Sequence, residues 1–338
     1  MRPVLAPQPD ATLRRSSQPT FSAIVAAYQA AEFIGEAIES LLAQTLPPIE
    51  IIVCDDGSTD DLGAALAPYR DRICLLHKEN GGEASAKNAA ARRASGDFVA
   101  ILDADDVYLP ERLEALADLS SRRPDLDILS ADSFMVVDGR VVRNTYHGAY
   151  RFETDDQRRA ILEENFVGPG HMAVRREAFL AAGGFDESFR WATDWDCWIR
   201  MIFAGSKAGI VNQPLAEYRI RATGLASDRT SHFEGRLAVL EKAAGRADLS
   251  AGERHALERS LAAHRRSLAL RRAESALVEA RPEARRLALR IVGDAGFPPG
   301  VRAKAAIAAV LPRLVGKFVA VRSRARPELA GGIRAPKS

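Results

Sequence analysis

Two short acidic clusters in the sequence each close an apolar run. Asp55-Asp56-Gly57-Ser58-Thr59-Asp60 follows Ile51 to Cys54, and Asp103-Ala104-Asp105-Asp106 follows Phe98 to Leu102. Paired carboxylates at a strand end, then a glycine that permits a tight turn, offer acceptors to a nucleotide base or ribose. The same residues also suit an ordinary turn into a helix, with Ser58 or Asp60 as N-cap. In the second cluster, alternation puts Asp103 and Asp105 on one side of an extended segment. Two hard oxygen ligands can then reach one divalent ion, whose shell a diphosphate can complete. Mg2+ or Mn2+ fits that set better than zinc. Clustered carboxylates repel one another at neutral pH unless a cation or basic group sits among them. The alternative is an acidic helix N-terminus before Pro110, a task that suits Asp106.

Such clusters need a frame that brings strand ends together. Phe21 to Ala27 and Ile49 to Cys54 are apolar runs on either side of a segment, Ala30 to Gln44, that places Phe33, Ile34, Ala37, Ile38, Leu41 and Leu42 at helical spacing. This β-α-β pattern predicts an α/β fold with a mostly parallel sheet covered on both faces, a right-handed crossover, and ligands at the strand C-terminal ends. Ile73 to His77, Ala84 to Ala94 and Phe98 to Leu102 continue the alternation, and Leu109-Pro110-Glu111 opens a helix to about Leu119. Asp127 to Ala131 and Phe134 to Val137 read as further strands, Arg176 to Ala182 as a short helix closed by Gly183-Gly184, and Thr193 to Ala204 as an amphipathic helix. From about His232 the chain turns rich in Ala, Arg, Leu and Glu at helical spacing to about Val292, breaks at Pro298-Pro299, and ends in an apolar and basic helix around Val301 to Val321. The expected organisation is a flexible lead-in over 1–20, an α/β domain over 21–230 and a basic helical region over 231–338.

Composition sets the outer bounds. With 338 residues and 47% apolar content the chain can bury a sizeable core, and a net charge of +2 points to neither a nucleic-acid binder nor an acidic tail. The average hides an asymmetry: residues 241–338 carry 21 Lys and Arg against 9 Asp and Glu, whereas residues 1–240 carry 26 against 36. Cys54, Cys74 and Cys197 are too few and too scattered for a disulfide framework and read as buried thiols. No window reaches the length of a membrane span, and the N-terminus lacks the order of a signal peptide, so a cytoplasmic protein is expected.

The order of an apolar strand, Tyr28, DDGS, an Asn80-Gly81-Gly82 loop with Lys87-Asn88, and DADD after another apolar strand resembles the nucleotide-sugar-binding half of family-2 glycosyltransferases over about residues 21 to 225. These are inverting enzymes with a GT-A fold. The resemblance implies that Ala26 and Tyr28 stand at the base-contacting strand end and that Asp56 binds the base. Asp103, Ala104 and Asp105 match the metal-and-ribose DxD, with Asp105 and Asp103 as metal ligands. Lys87 replaces the arginine of the family's NxGxxxARN pattern, which keeps the charge and loses the bidentate fork. Asp194, in Thr193-Asp194-Trp195, falls on the general base, although Thr193 stands where the family usually has Glu. Trp191, Trp195 and Trp198 offer apolar and sugar-stacking surface nearby, with Trp198 read as core. His171 matches an acceptor-cleft segment and equally suits a core histidine. Arg221 replaces the histidine of the family's YRxH element; it cannot ligate a cation but can clamp phosphate.

These matches imply a glycosyltransferase that takes a nucleotide-diphospho-sugar donor, uses Mn2+ or Mg2+, and acts on a glycan or lipid-linked acceptor in surface polysaccharide biosynthesis. Two rivals keep the same frame: a nucleotidyltransferase, whose glycine-rich signature is missing from Ala26 to Ala31, and a sugar-nucleotide-binding or scaffold protein without turnover. The C-terminal helices fit a helical hairpin with a solvated charged face. Their last apolar face has two alternative partners: an anionic membrane reached peripherally, or the protein's own helices or a second subunit.

Overall fold

The computed structural model describes residues 18–137, 139–144, 152–153, 155–168, 171–220 and 229–325. Strands and helices alternate at first: β1 (Phe21–Ala27), α1 (Ile34–Leu42), β2 (Glu50–Asp55), α2 (Leu62–Leu66), β3 (Cys74–His77), α3 (Glu83–Arg93) and β4 (Phe98–Asp103). β1, β2 and β4 are buried along almost their whole length. They read as continuous apolar runs because a parallel strand covered on both faces has no side turned to water. α1 buries Ile34, Ala37, Ile38 and Leu41 in the core they share with the strands, the row that a 3.6-residue period dictates. α3 buries Ala84, Ala86, Ala90 and Ala91 together with the longer Lys87 and Asn88.

The chain continues through β5 (Val107–Tyr108), α4 (Arg112–Arg122), β6 (Ile128–Val137), β7 (Arg140–Asn144), α5 (Gln157–Glu163), β8 (Ala173–Arg175), α6 (Arg176–Ala181), α7 (Thr193–Phe203) and β9 (Ala208–Ile220). One sheet orders the strands β3-β2-β1-β4-β8-β6-β9-β5, with β7 paired to β6. From β3 to β4 the pairing is parallel. β4 with β8, β8 with β6, β6 with β7 and β9 with β5 are antiparallel. Register places Ala26 of β1 level with both Cys54 and Asp103, and Asp55 level with both Ala27 and His77. The C-terminal ends of β1 to β4 therefore finish together, where ligands bind in such sheets. The two strands expected over 127–137 are one continuous β6, whose irregularity lies between Met135 and Val136. β9 has no clear signature in the sequence because Pro214 interrupts its pattern.

Five helices follow: α8 (Arg229–Ala244), α9 (Ala251–Val278), α10 (Ala284–Gly293), α11 (Pro299–Val310) and α12 (Pro312–Ala325). A capping box starts α9, with the Ser250 hydroxyl accepting from the Glu253 N–H and the Ser250 N–H donating to the Glu253 carboxylate. The single helix expected from Val301 to Val321 is split at Leu311-Pro312, since proline has no N–H for a continuing helix and suits the first turn of a new one.

Two compact units result. One comprises Met1–Asp132, Gly170–Gly184 and Gly205–Glu217; the other comprises Ser133–Pro169, Phe185–Ala204 and Tyr218–Ser338. The second unit joins segments from before residue 230 to the C-terminal helices, so the division does not fall where composition changes. The first is built on the large apolar cluster around β1, β4, α1 and α4. C-terminal helices of the second pack through small clusters such as Ala276, Leu277, Ala284, Ala288, Ala308 and Ala309. Among the described residues no helix is long and apolar enough to cross a membrane. Cys54 and Cys197 are buried, Cys74 is half-buried, and none is in a disulfide.

Candidate active site

In the α/β unit, the loops after β1 and β2 are fastened to each other. Gln29, in the left-handed region at φ 52°, accepts through Oε1 from the Thr59 N–H at 2.8 Å and the Asp60 N–H at 3.2 Å. Its own N–H donates to Ser58 Oγ at 3.1 Å, and the Ala31 N–H donates to Asp60 Oδ2 at 2.9 Å. Ser58 and Asp60 therefore bind the neighbouring loop and do not cap α2. Tyr28, the residue before Gln29, is 53% exposed, and Ala26 two residues earlier is half-buried.

Asp56 is buried and serves the glycine loop. Its Oδ1 accepts from Lys78 Nζ at 2.7 Å and the Gly81 N–H at 3.0 Å, and its Oδ2 accepts from the Gly82 N–H at 2.7 Å. Gly57 allows this approach: a Cβ there would stand 2.9 Å from the Asn80 nitrogen. Lys78 is a site residue that the sequence pattern does not single out.

At the end of β4, Asp103 Oδ1 lies 2.6 Å from Nζ of the buried Lys87, which also contacts Glu83 one helical turn back. Burial works against the Lys87 ammonium, but Asp103 and then Glu83 outweigh it and hold its pKa well above the usual lysine range. Burial likewise works against the Asp103 carboxylate, yet Lys87 and then His171 keep it below the usual carboxylate range. Beneath this pair, His171 Nε2 and Asp106 Oδ2 meet at 2.6 Å, both side chains buried. Arg112 is wholly buried under them; its Nη2 donates to the His171 carbonyl and its guanidinium lies 4.5 Å from the centre of the Tyr108 ring. Its Nε and Nη1 have no hydrogen-bond partner among the described residues.

Ligand atoms of Asp103, Asp106 and His171 all lie within 4.8 Å of one another. Two carboxylate oxygens suit Mg2+ or Mn2+, and the imidazole favours a transition metal within that pair. The donor set fits a divalent cation. Asp105 is half-buried and outside this trio. Asp106, read as a helix-terminal acid, instead belongs to the buried cluster, and His171 is both a core residue and a candidate ligand.

In the helical unit, half-buried Asp194 lies in the first turn of α7, after Ala192 at φ 55°. Asn165 Nδ2 donates to Asp194 Oδ2 at 2.9 Å. Trp195 does not offer a sugar-stacking face: it is 1% exposed, its indole N–H donates to the Ile161 carbonyl at 2.7 Å, and its ring packs on His264. Its helical position turns it inward. Trp198 is core, as its spacing predicts. Trp191 remains half-buried, edge-on to His232, and so close to α8 that a Cβ on Gly235 would stand 2.3 Å from its own Cβ. Asp196 is committed to Arg200 at 2.8 Å and Lys242 at 2.7 Å. Burial pushes the Cys197 thiol up to about 12, which makes it inert. Arg221 lies outside the described residues.

The sequence model of Glycosyl transferase family 2 matches residues 22–183. A Bacillus subtilis glycosyltransferase assigned to teichuronic acid biosynthesis is 30% identical over 217 residues, which is 63% of this chain and 83% of that protein. The chain belongs to glycosyl transferase family 2. It is a glycosyltransferase by that membership. Among solved structures, S. aureus TarS 1–349 in complex with UDP-GlcNAc aligns with TM-score 0.61 and 20% identity, covering 90% of this chain and 92% of that one. A Pyrobaculum calidifontis mannosyltransferase in complex with GDP-Man and Mn2+ aligns with TM-score 0.57, covering 93% and 88%. Both likenesses show a shared GT-A fold.

In this family-2 glycosyltransferase the family match ends before α7, so Asp194, Trp191 and the C-terminal helices lie beyond it. Within the match, Asp56, Lys87, Asp103 and His171 all belong to the α/β unit: Asp56 follows β2, Lys87 lies in α3, Asp103 ends β4 and His171 precedes β8. Arg112 and Lys78 are additions that only the folded arrangement brings out. Asn165 is another, in the helical unit, and its Oδ1 is buried with no partner among the described residues.

Proposed function

We propose that this enzyme moves a sugar from a nucleoside-diphosphate donor to an acceptor hydroxyl, with inversion at the anomeric carbon, in the building of a glycan. The observation that carries the reading is the charge arrangement at the end of β4: Asp103 held ionised by buried Lys87, beside the buried Asp106–His171 pair. Tyr28 supplies an exposed ring, and Asp56 orders the glycine loop, where a base and ribose are to bind. Asp103, Asp106 and His171 would hold a divalent cation, with Asp105 as a further oxygen ligand. When bound, that cation supplies positive charge against the leaving diphosphate. Lys87 keeps Asp103 anionic and oriented in readiness for it.

Asp194 is the proposed general base. As the acceptor oxygen bonds to the anomeric carbon, the carbon–oxygen bond to the diphosphate breaks and the hydroxyl proton passes to the Asp194 carboxylate. The Asn165 amide fixes the orientation of that carboxylate. The protein's task is positioning and charge stabilisation, with no covalent intermediate on the chain.

UDP- and GDP-sugars are the donors to try first, given what the two structural neighbours hold, and glycan acceptors follow from the teichuronic acid relative. The test measures release of nucleoside diphosphate during incubation with donor and acceptor, alongside thermal shifts by UDP and GDP with and without Mn2+. The expected result is a Mn2+-enhanced shift and acceptor-dependent release of nucleoside diphosphate. Release of pyrophosphate would favour nucleotidyl transfer, and a shift without turnover on any acceptor would favour a binding protein.

A further inference from the structure

The last two described helices turn one side inward and leave a row of large apolar side chains outside. Val315 of α12 packs against the cluster around Leu277 and Ala308. Beside it, Gly316 approaches α9 so closely that a Cβ would stand 2.1 Å from the Leu277 carbonyl oxygen. No other residue type tolerates that contact, so the rotation of α12 about its own axis is set. The outward side then carries Leu314 and Phe318, 64% and 69% exposed, one helical turn apart. Ile307, Val310 and Leu311, 56%, 76% and 49% exposed, add three more large apolar side chains on α11 and at its junction with α12. Single exposed apolar residues need no explanation, but five large ones between Ile307 and Phe318 do.

The charge around the row has one sign. No Asp or Glu occurs from Ala295 to Pro327, while Arg302, Lys304, Arg313, Lys317 and three further arginines do. Lys304, Arg313 and Lys317 are exposed, and no ion pair among the described residues involves a residue beyond Glu283. A two-fold contact between copies through this face would set two acid-free basic surfaces against each other. Neither helix is long and apolar enough to cross a bilayer.

We propose that α11 and α12 lie on an anionic lipid surface, with Ile307, Val310, Leu311, Leu314 and Phe318 entering the acyl boundary and Lys304, Arg313 and Lys317 meeting the headgroup phosphates. An apolar face with cations along its border is the pattern that holds a helix in the plane of such an interface. The inference is independent of the donor and acceptor proposed above.

Co-sedimentation of the full chain with vesicles containing phosphatidylglycerol, and with vesicles of phosphatidylcholine alone, tests it. Binding is expected to the anionic vesicles, to weaken steeply with added salt, and to be at least about tenfold weaker on phosphatidylcholine. The double variant Leu314→Glu/Phe318→Glu should lose binding by about tenfold or more with an unchanged thermal melt, because both side chains are exposed. Arg313→Gln/Lys317→Gln should lower only the anionic-vesicle binding, and Leu289→Glu, an exposed leucine on α10, should leave binding as it is. The proposal is overturned if the parent chain does not sediment with phosphatidylglycerol vesicles, or if the double glutamate variant binds as the parent does. A parent dimer that the glutamates dissociate, with no vesicle binding, would assign the face to a second copy.

Discussion

In the α/β unit five buried ionisable side chains, Asp56, Lys87, Asp106, Arg112 and His171, gather with half-buried Asp103 around the loops that follow β1, β2 and β4. In the helical unit the buried acids Asp196 and Glu253 have plain structural tasks: Asp196 joins α7 to α8 through Lys242, and Glu253 closes the cap of α9 while binding Arg158. The first group is left with something over, since three ligand atoms converge and Arg112 keeps two open donors. Burying charge is costly unless every group is paired. Charge explained by a cap or an ion pair therefore marks architecture, and charge in excess of that marks a place where a ligand completes the balance.

The sharpest challenge to this contrast is Asp194, an acid of the helical unit to which we assign chemistry. Asp194→Asn should lower kcat by about 10²- to 10⁴-fold while the affinity for nucleoside diphosphate stays within about twofold, read by steady-state kinetics and calorimetry. A loss below about tenfold would return Asp194 to a helix-start role. Asp103→Asn should lower kcat/KM by about 10²-fold or more and abolish the Mn2+ dependence of the nucleotide thermal shift. Retention of that dependence would move the metal to other ligands.

Lys87→Met tests the pair itself. With Asp103 partly open to solvent, the expected stability loss is about 2–3 kcal/mol in denaturant unfolding at neutral pH. Because the folded Asp103 pKa is depressed, its stabilisation is present above the unfolded carboxylate value and disappears as pH falls through the folded one. The difference between parent and variant should therefore shrink in acid, and a gap that persists there would point to packing. Lys87→Arg keeps the charge, restores the family's usual fork, and should keep most of the stability only if the buried site admits the larger side chain.

Gly235→Val acts on the other unit. The Cβ must displace Trp191, at a cost of about 1–3 kcal/mol, with nucleotide affinity unchanged. Altered nucleotide affinity would show that the units are not separable in this way. The smallest effect concerns His232, which burial and then Arg236 push down to about 4. The unfolded chain binds a proton that the folded one refuses, so stability should fall as pH drops from the unfolded value to about 4 and level off below it. His232→Gln should remove this pH-dependent loss from melts across that window; the full shift corresponds to about 3 kcal/mol, which solvent around the half-buried ring reduces to on the order of 1–2 kcal/mol.

The sequence by itself determined the parts whose signal is local. Apolar runs marked β1, β2 and β4, a 3.6-residue period marked α1, and the acidic clusters marked the strand ends where we propose that a nucleotide sugar binds, because burial on both faces and tight turns are legible in neighbouring residue types. Trp198 and Cys197 were legible as core for the same reason. Only the tertiary structure decided that His171 meets Asp106, 65 residues away, that Arg112 is buried beneath them, and that Trp195 turns inward while Trp191 does not. A period shows which face of a helix is apolar and is silent on what covers it, so the exposed row on α12 depends on the closeness of Gly316 to α9. A charged residue type reads as solvated until its partner is known, since the cost of burying it is offset by groups remote in the chain.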